Sequence, residues 1–213
     1  MIWLAIALEA AILAMSLSID AFTAAFAYGC KKIKIPMLSM HIINLICTGM
    51  IGISFLFGSI LVEYIPEGLA LGLSFSILFL LGLTKLFDSL TKSIIRKHTQ
   101  LSKEIRLSLF NFKLILHLYA DPEAADMDIS KSISPREAAV LAVSLSLDGI
   151  AVGFGAALIG INGWAVILFS LITDFIALLL GGLLGNKSAN KLRFNISWLA
   201  GVVLIGLALE KLL

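Results

Sequence analysis

One twelve-residue string occurs twice in the chain. Residues 9–20 read EAAILAMSLSID and residues 137–148 read EAAVLAVSLSLD; nine letters are identical and the other three swap one apolar residue for another. The offset is 128 residues in a chain of 213. Such a match marks an internal duplication, and each copy ends on an Asp inside an apolar, helix-forming stretch. The surroundings are those of a membrane protein: 60% of residues are hydrophobic and 14% charged, against about half and about a quarter in soluble domains. A carboxylate at mid-bilayer costs about 2.5–3.5 kcal/mol on insertion scales, so each Asp is a candidate for function.

Six apolar spans are expected, at about 2–28, 36–62, 68–91, 136–160, 163–185 and 195–213, each near the roughly 20 residues a bilayer requires. The breaks between them have causes. Gly29 ends the first before Lys31, Lys32 and Lys34. Pro36, Pro66 and Pro135 open the second, third and fourth, where a missing N–H costs little. Gly160 to Gly163 turns the chain into the fifth, and Asn186, Lys187 and Arg193 mark the link to the sixth. The N-terminus lacks a basic n-region and its apolar run is long, so the first helix is expected to stay. Cys30 and Cys47 have no paired spacing and are read as small packing residues.

Three groups of Lys and Arg fall in or beside alternate connections: 31–34, 85–136 from the inner end of the third span through the central loop, and 187–193, together 15 of the 16 basic residues. The positive-inside rule then places the central loop in the cytoplasm and both termini outside. Three spans per copy is odd, so the second copy sits upside down relative to the first. The expected fold is an all-α integral membrane protein with six transmembrane helices in two inverted three-helix repeats. The boundaries are 1–92 for the first repeat, 93–135 for the loop and 136–213 for the second. Inverted repeats are a common build of secondary transporters, with the site at mid-membrane. Asp20 lies about 13 Å of helix from Gly29, and Asp148 about 20 Å from Pro135, which puts both near the middle.

Ser16 and Ser144 sit four residues before Asp20 and Asp148 and share their helix face. Ser18 and Ser146 point elsewhere and are expected to bond their own backbone. Small residues follow: Ala21, Ala24 and Ala25 in one copy, Gly149, Gly153 and Gly155 in the other. Small residues allow close helix approach, which is expected to bring Asp20 and Asp148 together. Two carboxylates with hydroxyl and carbonyl oxygens suit Mg²⁺, Ca²⁺ or Mn²⁺. Mutual repulsion without a cation also makes the pair a candidate proton carrier. The plainer alternative is that each Asp is hydrogen-bonding glue between helices. Asp174 is a third acid that could complete the cation pathway, with Asn44 and Thr48 as neutral oxygens; His41 is read as packing. No basic residue is expected within the membrane to meet a substrate carboxylate, which lowers a reading as an amino-acid exporter.

The central loop holds two more features. Residues 105–120 are apolar enough for short strands or an interfacial helix. Asp126, Asp128, Ser130, Ser132, Ser134 and Glu137 then fall at the oxygen positions of an EF-hand loop, with Ile133 at its hydrophobic position. Lys131 stands where the sharp turn favours Gly. Ca²⁺ or Mn²⁺ in this loop competes with a capped helix entry, and Glu137 is claimed by both. His98 and His117 are isolated. Nucleotide-binding loops and nucleophile triads are absent from the sequence, so no enzyme activity, no tightly bound cofactor and no nucleic-acid partner are expected. The expected partners are the lipid bilayer, a divalent cation and protons.

SLSIDAF (16–22) and SLSLDGIAVGFG (144–155), in a duplicated six-helix chain, resemble the MntP family of manganese efflux pumps. YGCKKIKIP (28–36) and DPEAADMDISKSIS (121–134) look closest to its YtaF branch of sporulation membrane proteins. The resemblance covers nearly the whole chain. It implies a bacterial inner-membrane protein of the LysE-like transporter group, with Asp20 and Asp148 at the matching motif positions and Mn²⁺ as the exported ion. Exporter-type members carry an acid near a Pro in the second helix, and residues 40–60 contain neither. That departure counts against Mn²⁺ as the transported ion, and the name of the YtaF branch describes a developmental context; a second expectation is a scaffold or metal sensor in spore formation that does not transport.

Overall fold

The computed structural model describes residues 2–87, 118, 125–126, 130–187 and 197–210. Asp128, His98, His117 and all of 105–120 except Leu118 lie outside the described residues. The described residues form six helices: α1 (Ile2–Cys30), α2 (Met37–Val62), α3 (Glu67–Leu86), α4 (Pro135–Leu158), α5 (Gly163–Lys187) and α6 (Ser197–Glu210). There is no strand among them, only an isolated bridge between Lys34 and Ser132. Five helices are long and apolar enough to cross a membrane. The sixth is a helix where one was expected, with 14 described residues, about 21 Å of helix.

The helix ends follow local chemistry. Pro36 and Pro66 stand immediately before α2 and α3 with extended ψ. Pro135 is the first residue of α4, behind Ser134. Ser134 and Glu137 form a capping box: Ser134 N–H and its hydroxyl both donate to Glu137 Oε2 at 2.8 Å, and the Glu137 N–H donates back to Ser134 Oγ. Two orphan donors of the first turn are satisfied in this way. Gly160 turns between α4 and α5 at φ +73°, and Asn162 Oδ1 accepts the Ala165 N–H at 3.1 Å.

The bundle buries small polar side chains among its apolar core and exposes large apolar ones. Ser16, Ser39, Thr48, Ser54, Ser74, Ser144 and Ser170 are buried, whereas Leu45, Ile53, Leu56, Phe57, Leu80, Leu168 and Ile172 are exposed. Lipid offers no hydrogen bonds, so polar groups must find partners within the protein. Several do so across helices. Ser54 donates to the Ile150 carbonyl, and Ser74 to the Gly155 carbonyl at 2.6 Å. Asn44 Nδ2 donates to the Leu171 carbonyl at 2.9 Å.

The principal helix contacts all join the first three helices to the last three. α1 packs on α5, α2 on α4 and α3 on α6; α3 also meets α4, α1 meets α6 and α2 meets α5. The α1–α5 seam is the closest. A Cβ at Gly181 would stand 2.5 Å from the Phe22 carbonyl oxygen, and one at Gly185 would collide with that of Phe26. The small residues therefore do not dock α1 on α4, as the sequence suggested. Ala25 faces Gly181 of α5, while Gly153 lies on Ile51 and Ser54 of α2, and Gly155 on Leu78 of α3. α1 and α4 meet only over a short crossing.

At one end of the bundle two connections are stitched together. Lys32 and Lys131 both have φ +59°, and each stands four residues before a Pro that opens a helix. Lys34 N–H donates to the Lys131 carbonyl and Ile133 N–H to the Lys34 carbonyl, both at 2.9 Å. Ser39 of α2 donates to the Ile133 carbonyl at 2.7 Å. The Ile133 side chain is fully buried with Tyr28 and Ile43.

Candidate functional site

Asp20 and Asp148 do come together, and a third side chain joins them. Lys85 Nζ is ion-paired with Asp20 Oδ2 and lies 2.6 Å from Asp148 Oδ2. The three residues belong to α1, α4 and α3. Lys85 is 5% exposed and Asp148 8%. Lysine is almost never buried unless paired, and removing one partner of a buried ion pair costs about 3–5 kcal/mol. Each member therefore holds the others in place.

Helix register explains how Lys85 arrives. The Ser74–Gly155 hydrogen bond levels α3 with α4. Lys85 is eleven residues further along α3, about 16 Å, and Asp148 is seven residues back along the oppositely directed α4, about 10 Å. Side chains in a helix lean toward its N-terminus, so the four-carbon stem of Lys85 closes the remaining distance. The expectation that the membrane interior holds no basic residue is thus overturned. Grouping Lys85 with the loop cations by chain position concealed it, although it lies well inside the apolar run 68–91. This ammonium is already committed to two acids, which leaves it poorly placed to receive an anionic substrate.

The other predicted residues divide into two sets. Ser16 and Ser144 are buried on the faces of α1 and α4. Ser18 and Ser146 each donate to the carbonyl three residues earlier, Met15 and Val143, both at 2.9 Å, so the two copies share this detail. Asp174, 4% exposed, lines with Asp20, Ser146 and Cys47 a cavity of about 20 Å³, room for about one water. Cys47, read from sequence as a packing residue, is thus beside two acids; its thiol donates to the Ala142 carbonyl at 3.6 Å. Asn44 bonds across to α5, and Thr48 bonds Asn44 at 3.4 Å. His41 stacks on Phe175, with ring centroids 5.0 Å apart. Among the described residues no three His, Cys, Asp or Glu side chains converge as a metal cage; the acids are instead arranged around an ammonium.

In the loop, Asp126 accepts the N–H groups of Ser130 and Lys131, each at 3.1 Å. Ser130 Oγ turns to the Ser132 carbonyl at 2.9 Å. Lys131 takes the left-handed turn without a glycine. Glu137 is buried and held by Ser134, so the capped helix entry accounts for its position.

Residues 68–212 match the family described as "Putative manganese efflux pump". The chain is 30% identical over 211 residues to "Probable sporulation protein YtaF" of Bacillus subtilis (strain 168), covering 94% of this chain and 97% of that protein. No solved structure matches it.

Proposed function

The chain belongs to the family described as putative manganese efflux pumps, and from that premise we propose that it is a multi-pass secondary transporter exporting a divalent cation, Mn²⁺ foremost. The observation that carries this reading is the convergence of Asp20 and Asp148, one from each copy of the duplicated string, on a single positive group inside an apolar bundle. Two carboxylates flanked by buried Ser16 and Ser144 form an oxygen-rich seat for a hard cation. Asp174, one small cavity away, extends the acidic path. Protons are the natural counter-ion for such a carboxylate set.

The two halves are read as inverted repeats. Exchanging α1, α2 and α3 for α4, α5 and α6 leaves the pattern of helix partners unchanged, as a two-fold axis in the membrane plane requires. By the positive-inside rule the basic connections favour a cytoplasmic central loop with both termini outside. The test is Mn²⁺ flux in proteoliposomes, with and without a pH gradient. Uptake abolished by Asp20→Asn with Asp148→Asn supports the reading; flux that survives both changes counts against it.

A second reading is favoured by the relative's name, which refers to sporulation over nearly the full chain. In it, the protein is a membrane scaffold or metal sensor, and loop 126–137 binds Ca²⁺ or Mn²⁺ through Asp126 and Asp128. Asp126→Ala with Asp128→Ala would then abolish spore formation in a producing host, whereas a transporter would keep its flux.

A further inference from the structure

We propose that Lys85 is a tethered stand-in for the cargo: its ammonium takes the seat between Asp20 and Asp148, and a divalent cation displaces it in each cycle. This rests on the transport reading above and names the internal partner of the exchange.

The geometry is unlike that of a structural ion pair. One nitrogen serves two carboxylates on two different helices, which leaves one negative charge over. A divalent cation on the same seat matches both acids. The seat therefore suits a visitor of twice the charge of its resident. Without the resident, two carboxylates would face each other at a buried site, a costly arrangement. With it, the protein can empty its site without exposing that pair.

Lys85 is also placed to leave. It lies in the last turn of α3, one residue before the helix ends at Leu86. Its stem is long and rotatable. Once displaced, the ammonium stays at the negative end of the α3 dipole, where a cation is favoured. No helix has to break for the swap.

A tethered group competes at an effective concentration in the millimolar range or above, so its removal should be visible as affinity. The test is equilibrium binding of Mn²⁺ to the purified full-length chain in detergent, read by electron paramagnetic resonance, together with thermal melting. Lys85→Met should bind Mn²⁺ at least about tenfold more tightly than wild type, as expected when a tethered competitor is lost. Its melting temperature should fall in metal-free buffer and recover with Mn²⁺ by more than the wild type gains. Lys85→Arg keeps a cationic head and should stay weak. Binding by Lys85→Met that equals or trails the wild type overturns the proposal. If metal-free Lys85→Met does not fold, purification with Mn²⁺ decides: folded protein only with Mn²⁺ supports the exchange, and failure in both buffers overturns it. Wild-type vesicles that carry no Mn²⁺ would count against transport alone, because the binding comparison does not depend on flux.

Discussion

Lys85 Nζ lies 2.6 Å from Asp148 Oδ2 and holds Asp20 with the same nitrogen. The triad is unequal, so its members should not be equally costly to remove. Asp148→Asn leaves the ammonium one carboxylate and a polar amide, and should cost about 1–3 kcal/mol, the range for an unmade buried hydrogen bond. Lys85→Met strands two acids and should cost about 3–5 kcal/mol or more, as for a broken buried pair. Reversible unfolding in mixed micelles checks the order, which a purely lipid-facing lysine would not show.

The α1–α5 seam admits nothing larger than hydrogen at Gly185, where a Cβ would strike the Phe26 carbonyl. Gly182 is adjacent to that seam, yet a Cβ there meets nothing within 4 Å. Gly185→Ala should destabilise by about 1–3 kcal/mol, the usual cost of overpacking. Gly182→Ala should be neutral or slightly stabilising, because alanine favours the helix by about 1 kcal/mol. Melting of the two variants side by side reads the seam directly.

Ser134 and Glu137 close the capping box that starts α4, fourteen and eleven residues before Asp148, where the second copy of the string ends. Ser134→Ala should cost about 0.5–2 kcal/mol, as N-cap losses do. Glu137→Gln should cost less, since glutamine still accepts the Ser134 N–H. Denaturation of both variants without added metal tests whether capping is what holds Glu137.

Lys131 holds φ +59°, a conformation that costs a side chain of L chirality about 1–2 kcal/mol. Lys131→Gly should lie within about 1 kcal/mol of wild type, relief of strain offsetting the added chain entropy. Lys131→Val should lose about 1–2 kcal/mol, because a β-branched residue tolerates the left-handed region poorly. Tb³⁺ luminescence on the glycine variant reads, in the same samples, any cation binding by 126–137.

The duplicated string made Asp20 and Asp148 legible because acids are rare in apolar helices and rarer still at matched positions. Helix ends were legible where Pro, Ser or Gly has a specific backbone role, as at Pro36, Ser134 and Gly160. Lys85 was not, because chain position alone does not tell an ammonium that leaves for water from one that leans back along its helix; only the register against α4 decides. The docking of Ala25 on α5 was hidden for a related reason. Small-residue spacing marks a face that can be approached, and says nothing of which helix approaches it. Glu137 had two candidate partners in sequence, and Ser134, three residues away, holds it.

Lys85 is contributed by α3 and Asp174 by α5, so the two copies of the repeated string have kept their serines and aspartates while their companions have diverged. Two identical first halves would bring a pair of ammonium groups to a pair of carboxylates, and two identical second halves would double Asp148 and Asp174 at the seat. Neither symmetric assembly reproduces the unequal set of charges seen here. Joining the halves in one polypeptide is what allows each to specialise.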